Sequence, residues 1–422
     1  MPSPRVVLTG LGFITPIGND RDGVRRSLRD QVHGFSPVTW FPDCAVKLAG
    51  TIKGFSTDSC NRADWRWPAG YRFSRETVRS LPPHGLYAAC AVQQALAAAG
   101  LRDVDLSDGQ TGLFCASAGS PRYTRHYLNE VVASSGQRVN PWTVIASISG
   151  TLNFHLAAML GVRGAVTGFV SACAASAHAL GYAFDEIALG RHQRMLVVGG
   201  EDDTWESLLP FAGMRALSRQ ADPRLASRPF DARRDGFVGA GGAVAVVLES
   251  ADLARRRGAP VVAELCGWAQ ASDGHSIAQS EPEGRGLAEA LRRTLAAARI
   301  SPADIDYVNA HATSTVVGDR AEACALRTVL GDARPPVSST KALTGHPLSM
   351  AGVMEAALCA LAMEEGFIPG NAHLQDLDPA CGGLNLPREN LDVAPRVILS
   401  NSCGFGGSNV CLVLRRWDGG AA

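Results

Sequence analysis

The sequence predicts an α/β layered sandwich with mostly parallel strands. Short, β-prone apolar runs alternate along the chain with longer segments that carry their apolar residues on one helical face. A hydrophobic content of 46% against 19% charged residues, over 422 residues, is enough for a large buried core. Polar and small residues cluster where the strand-like runs end, and α/β folds keep their chemistry in such loops.

Taken in order, strands are expected at 6–9, 111–116, 194–199, 243–248, 261–265 and 397–400. Helices are expected at about 85–99 and 286–298, each with an apolar face. No Pro-, Ser- or Gly-rich tract and no block of like charge marks a linker, so length alone does not divide the chain. The formal net charge is zero, which gives no global attraction to nucleic acid or to a membrane surface. No apolar run reaches spanning length, and Met1-Pro2-Ser3-Pro4-Arg5 leads into a strand without a leader's hydrophobic core, so a cytoplasmic protein is expected. The eleven cysteines have no paired short spacing, so neither a zinc site nor a disulfide framework is expected. Cys90, Cys115, Cys324 and Cys359 read as small core residues.

Cys173 stands apart. A β-prone stretch runs into Ser171-Ala172-Cys173-Ala174, and a helical pattern opens directly after it. First-turn N–H groups lack intrahelical acceptors and favour negative charge, so a thiolate there is stabilised and its pKa is expected to fall. The alternative is an inert cysteine buried in an Ala-rich helix. Three further strand-end loops tip the reading toward covalent catalysis. They are Asn309-Ala310-His311-Ala312-Thr313-Ser314-Thr315, Ser339-Thr340-Lys341-Ala342-Leu343-Thr344-Gly345-His346-Pro347 and Asn401-Ser402-Cys403-Gly404-Phe405-Gly406-Gly407. Lys341 is one of only three lysines among 40 basic residues.

These motifs, together with Ser227-Arg228-Pro229-Phe230-Asp231 and Arg234-Asp235-Gly236-Phe237-Val238, resemble the condensing enzymes, specifically the β-ketoacyl-acyl-carrier-protein synthases of the type II branch. The resemblance runs from Val6 to the final strand at Val410-Leu414. It implies a thiolase-like α-β-α-β-α sandwich of two related halves, placed here at 1–254 and 255–422. A faint internal echo fits this: Cys173 opens one small-residue helix and Met350-Ala351-Gly352 opens another after His346.

The resemblance also implies roles. Cys173 would carry the acyl group, His311 and His346 would serve malonyl decarboxylation, and the amides of Cys173 and Phe405 would hold an oxyanion. Lys341 would act behind the histidines, paired with Glu355. Thr313 and Thr315 would bond the phosphopantetheine arm and Arg215 would sit near its phosphate, although a solvated surface arginine is the plainer reading. Arg72, Arg75 and Arg79 match a basic region that docks acyl carrier protein, or form an ordinary solvated helix face. No cofactor beyond the carrier's phosphopantetheine is implied. The partners expected are acyl carrier protein and a second protomer, identical or a related synthase or chain-length subunit.

Thiolases, which condense without decarboxylation, share Gly345-His346-Pro347 and keep a second cysteine near Cys403. Chain-length subunits lose the nucleophile that is kept here. The chain departs from the usual pattern at Cys403, where an aromatic is usual, and at Gly119, where a bulky aliphatic is usual. By the resemblance, the change at Cys403 removes a ring beside a gate at Phe405 and the change at Gly119 removes volume at the far end of the acyl channel, with Phe211 a further substrate-binding candidate. They predict a longer or wider acyl pocket unless a side chain such as Tyr123 moves in. Fatty-acid elongation and a polyketide or polyene pathway both remain open.

Overall fold

Ten strands form one hydrogen-bonded sheet in the computed structural model, which describes residues 4–419. They are β1 (Val6–Ile14), β2 (Thr111–Ala116), β3 (Val166–Phe169), β4 (Arg194–Glu201), β5 (Gly242–Ser250), β6 (Ala263–Ser272), β7 (Tyr307–Asn309), β8 (Val337–Ser338), β9 (Val397–Gly404) and β10 (Ser408–Arg415). Their order is β8-β7-β9-β10-β6-β1-β5-β4-β2-β3. Outward from the seam between β1 and β6 the two sides match strand for strand. The seam itself is short: Val6, Val7 and Leu8 pair with Leu265, Glu264 and Ala263.

Each half has two parallel pairings, β2 with β3 and β4 and likewise β7 with β8 and β9. The pairings of β5 with β4 and β1, and of β10 with β9 and β6, are antiparallel. The expectation of mostly parallel strands therefore fails for half the sheet. Connection length is the cause: β9 passes into β10 through Phe405–Gly407 alone, which a hairpin allows and a parallel crossover does not.

The main helices are α1 (Pro83–Ala99), α2 (Pro121–Ala133), α3 (Leu152–Leu160), α4 (Ala175–Ala188), α5 (Arg285–Ala298), α6 (Val316–Leu330) and α7 (Ala351–Glu365). Proline at its first position opens α1, and Gly100 in the left-handed region closes it. α1 covers β1, β4 and β5 on one outer face, and α5 covers β6 and β10 on the other. Between the half-sheets lie α4 and α7, which touch each other and strands of both halves. The result is a five-layer sandwich of the thiolase-like kind. α7 is buried around its whole circumference from Ala351 to Met363, as a central-layer helix must be. Its partner comes close: a Cβ on Gly352 would lie 2.5 Å from Ala177 N.

β6 begins two residues later than expected and continues to Ser272. Gly267, two residues past the expected end, lets β6 pass beneath α5, where a Cβ would stand 3.0 Å from Ala298 N. Cys90, Cys115 and Cys359 are buried, whereas Cys324 is half-buried. No helix among the described residues is long and apolar enough to cross a membrane.

Candidate active site

Five residues, 170–174, separate the end of β3 from the start of α4. Ala172 makes the turn at φ 49°, a left-handed conformation costing a residue with a side chain about 1–2 kcal/mol. The surroundings hold it there. Gly404 lies against the turn, and a Cβ on it would stand 2.6 Å from Ser171 O and 3.3 Å from Cys173 N. Glycine at 404 thus brings the loop that carries Phe405 onto the backbone amide of Cys173.

The second half contributes two imidazoles. His311 follows β7, and its N–H donates to Glu322 Oε1 at 2.7 Å. Asn401 Nδ2 donates to the same oxygen at 2.7 Å, tying the loop to β9. After β8, one helical turn (Lys341–Thr344) leads to Gly345 at φ 71° and then His346. His346 N donates to Val238 O at 2.8 Å. His346 Nε2 lies 3.0 Å from Cys173 Sγ. The rings of His311 and His346 meet edge to face with centroids 5.3 Å apart, and Phe237 packs edgewise on His346 at 5.0 Å.

Burial dominates the electrostatics. It holds His311 and His346 well below the ordinary imidazole range, and the charge of Lys341 pushes both the same way. Both rings are therefore neutral. Each Nδ1 is buried without a partner. An unpaired lone pair is cheaper to bury than an unpaired N–H, so the proton sits on Nε2. Lys341 is fully buried and paired with Glu355. Burial raises the Glu355 carboxyl to about 7 against the lowering effect of that lysine.

Cys173 departs from the expected lowered pKa. Burial pushes its thiol up to about 12, against the charge of Lys341 and with a contribution from Glu201. The amides at the start of α4 do not outweigh the loss of water, so the resting sulfur is a thiol.

A cavity of about 520 Å³ joins Cys173, His311 and His346 to Thr313, Thr315, Arg215, Phe211, Cys403 and Phe405. The Thr313 and Thr315 hydroxyls are 3.1 Å apart. Arg234 braces their loop, donating to Thr315 O at 3.1 Å and Val316 O at 2.9 Å while pairing with Asp319. Arg215 is exposed at the rim, and the rings of Phe211 and Phe405 stand 6.0 Å apart. Gly119 does not line this cavity. It borders a cleft of about 510 Å³ and a smaller cavity that Tyr123 also lines. Its φ of 88° shows that glycine is required there by conformation, since a Cβ would meet nothing closer than 3.7 Å. Arg72, Arg75 and Arg79 are exposed and distant in sequence from this cluster, with Arg75 and Arg79 on a short helix, Arg75–Ser80. His178 is occupied by Ser171 and Gln270.

Sequence reasoning missed Glu322 and gave no role to Phe237, although Phe237 stands in the matching motif at 234–238. Glu322 falls on the buried face of α6 with Ala325 and Leu326, so an acid on an apolar helical face was the available signal. For Phe237 the motif was the signal, and its contribution is packing on His346.

The chain matches the β-ketoacyl synthase N-terminal domain over residues 3–254 and the β-ketoacyl synthase C-terminal domain over 262–375. It is 36% identical to the 3-oxoacyl-[acyl-carrier-protein] synthase 1 of Escherichia coli (strain K12) over 419 residues, covering 98% of this chain and 99% of that one. Among solved structures, a β-ketoacyl synthase from Burkholderia phymatum matches with a TM-score of 0.90 at 31% identity, covering 98% of this chain and 100% of the other. A type II PKS acyl-carrier protein complexed with its ketosynthase matches with a TM-score of 0.86 at 26% identity, over 99% of this chain and 100% of that one.

Proposed function

The chain belongs to the β-ketoacyl synthase family, and from that premise we propose that it joins an acyl thioester to malonyl-acyl-carrier protein by decarboxylative Claisen condensation. The observation that carries this reading is the contact of His346 Nε2 with Cys173 Sγ at 3.0 Å, beside a second neutral imidazole. On this reading residues 1–254 supply the nucleophile and 255–422 supply the donors.

In the first step Cys173 sulfur attacks the acyl thioester. Its proton leaves with the phosphopantetheine thiol, and the acyl group stays as a cysteine thioester. The His346 Nε2–H stabilises the sulfur as negative charge develops, which a buried thiol needs. In the second step malonyl thioester loses CO2. The electron pair of the broken C–C bond becomes an enolate, and the Nε2–H groups of His311 and His346 donate to its oxygen. In the third step the enolate carbon attacks the Cys173 thioester. The oxyanion lies against the amides of Cys173 and Phe405, then collapses to expel the sulfur as a thiolate, which takes up a proton from water to return to the resting thiol. Electrons balance throughout, so no redox cofactor is needed.

Burial keeps both imidazoles neutral, the charge of Lys341 adds to that effect, and Glu355 offsets the cost of burying the lysine. Thr313 and Thr315 hold the phosphopantetheine arm, Arg215 meets its phosphate, and Phe211 and Phe405 frame the entrance. Arg72, Arg75 and Arg79 face the acidic carrier, and a second protomer covers the open edge at β3.

A thiolase-type reading would use Cys403. Its thiol is driven well above the usual range by burial, and among the described residues no imidazole is hydrogen-bonded to it. Peptide mapping after incubation with acyl-acyl-carrier protein tests the assignment. The acyl mass is expected on the Cys173 peptide; acylation of Cys403 with condensation surviving in Cys173→Ala would overturn it.

A further inference from the structure

The short segment that carries Cys173 is fastened at both ends by one hydrogen bond. Ser171 precedes the left-handed Ala172, and His178 lies in the first turn of α4. Ser171 Oγ and His178 Nδ1 are 2.8 Å apart, so their bond closes a loop with Cys173 inside it. The other ring nitrogen, Nε2, lies 2.6 Å from Gln270 Oε1 in β6 of the second half. Gln270 Nε2 donates in turn to Tyr182 Oη at 2.9 Å, one turn further along α4. An amide oxygen can only accept, so His178 carries its proton on Nε2. Burial lowers this ring below the ordinary imidazole range, against the bonds to Gln270 and Ala174, and no charged group contributes. The ring is therefore neutral, its Nδ1 is an acceptor, and the Ser171 hydroxyl donates to it.

The bond stands where the chain needs one. A residue with a side chain stays in the left-handed region only when its surroundings over-determine it, and Ala172 is held at φ 49°. Two bonds within the turn are local: Ala174 N donates to Ser171 O at 3.2 Å and Ala175 N to Ala172 O at 3.1 Å. The second half supplies the rest. Gly404 restrains the turn by contact, and the chain Ser171–His178–Gln270 restrains it by direction. Trp268, two residues before Gln270, locks α4 along β6. A Cβ on Gly181 would stand 2.2 Å from its ring, and the rings of Trp268 and Tyr182 meet at 4.9 Å. Among the described residues neither Ser171 nor His178 lines the cavity at Cys173.

We propose that Ser171 and His178 are positioning residues for the nucleophile: their hydrogen bond, anchored by Gln270, sets the Cys173 sulfur against His346 and aims the Cys173 amide at the oxyanion. The inference rests on Cys173 as the acyl acceptor and adds what holds it in place. A sulfur displaced from its attack geometry reacts slowly even when the carrier binds normally. The bond therefore belongs to the rate of loading and not to the affinity for the carrier.

The experiment is single-turnover loading of the full-length protein from acyl-acyl-carrier protein, read by intact mass over a range of carrier concentrations. Ser171→Ala removes the donor and is expected to lower the maximal loading rate about fivefold or more, the worth of one hydrogen bond, with the half-saturating carrier concentration unchanged. Ser171→Thr keeps a hydroxyl and should load at the wild-type rate. His178→Phe keeps a ring without an acceptor and should lose at least as much as Ser171→Ala. Adding Ser171→Ala to it should then cost nothing more, because the bond is already gone. Once loaded, each variant should release CO2 from malonyl-acyl-carrier protein as the wild type does, since other loops hold His311 and His346. A wild-type rate in Ser171→Ala overturns the inference. So does a Ser171→Thr as slow as Ser171→Ala, a further loss in the double variant, or CO2 release that falls in step with loading. Should His178→Phe fail to fold, the two Ser171 variants decide alone. A wild type that never loads on Cys173 overturns the catalytic reading and this inference with it, whereas equal rates in wild type and Ser171→Ala leave that reading intact.

Discussion

β1–β5 and β6–β10 share one strand order and one pattern of directions, yet their loops differ in chemistry. After its second strand the first half carries Ser117-Ala118-Gly119, and the second half carries His311. After its third strand the first half reaches Cys173 and then α4, while the second half needs a full helical turn before His346 and α7. At the end of its fourth strand the first half buries Glu201 and Asp202, with Asp203 half-buried beside them, and the second half turns through Gly404 and Phe405. One half therefore presents a nucleophile over a polar floor, and the other presents hydrogen-bond donors. The same scaffold serves both because its reactive loops meet where α4 and α7 touch, at Ala177 and Gly352.

The comparison breaks most completely at the sulfur. Cys173→Ala should lose acyl loading and condensation to background, read by intact mass and product formation. Next are the two imidazoles, which the geometry separates. His311→Ala and His346→Ala should each lose CO2 release by about 10²–10³, the usual cost of one oxyanion donor. Only His346→Ala should also slow loading, because only His346 touches the sulfur. Equal loading rates in the two variants would remove that distinction.

Gly352→Val tests the contact between the halves. The added atoms meet Ala177 backbone, so a loss of about 1–3 kcal/mol is expected, read as a lowered Tm with reduced condensation. Lys341→Met tests the electrostatics. Both imidazole pKa values are depressed by burial and by Lys341, so the rings stay neutral well below pH 6.5. An imidazolium beside the malonyl carboxylate would stabilise the ground state that has to lose CO2. Removing the lysine raises both pKa values, so the acid limb of the CO2-release profile should move to higher pH. The smallest effect belongs to the exposed patch. Arg75→Glu with Arg79→Glu should raise KM for the carrier several-fold at low salt and less at high salt.

Much of this was legible in the sequence, for physical reasons. The strand at Thr111–Ala116 is an apolar run with clear ends, the apolar start of the strand expected at 397–400 is also plain although that strand continues to Gly404, and α1 has proline at one end and glycine at the other. Cys173, His311 and His346 each stand in a loop after a strand, which local pattern reveals. The antiparallel half of the sheet was hidden, because strand direction follows from connections and not from composition. The raised thiol pKa was hidden as well, since desolvation depends on what covers the sulfur. Glycine at 119 reads as missing volume in the sequence, and its left-handed φ, which favours glycine, was not visible there. His178 and Gln270 lie 92 residues apart, and no local signal joins them.

The division of labour between the halves is tested most directly by giving His311→Ala both acyl- and malonyl-acyl-carrier protein and following two signals together. These are the acyl mass on the Cys173 peptide and the release of CO2. The account predicts loading at the wild-type level with CO2 release lowered by about 10²–10³. Undiminished CO2 release, or loading lost in step with it, would contradict the assignment of nucleophile and donors to separate halves.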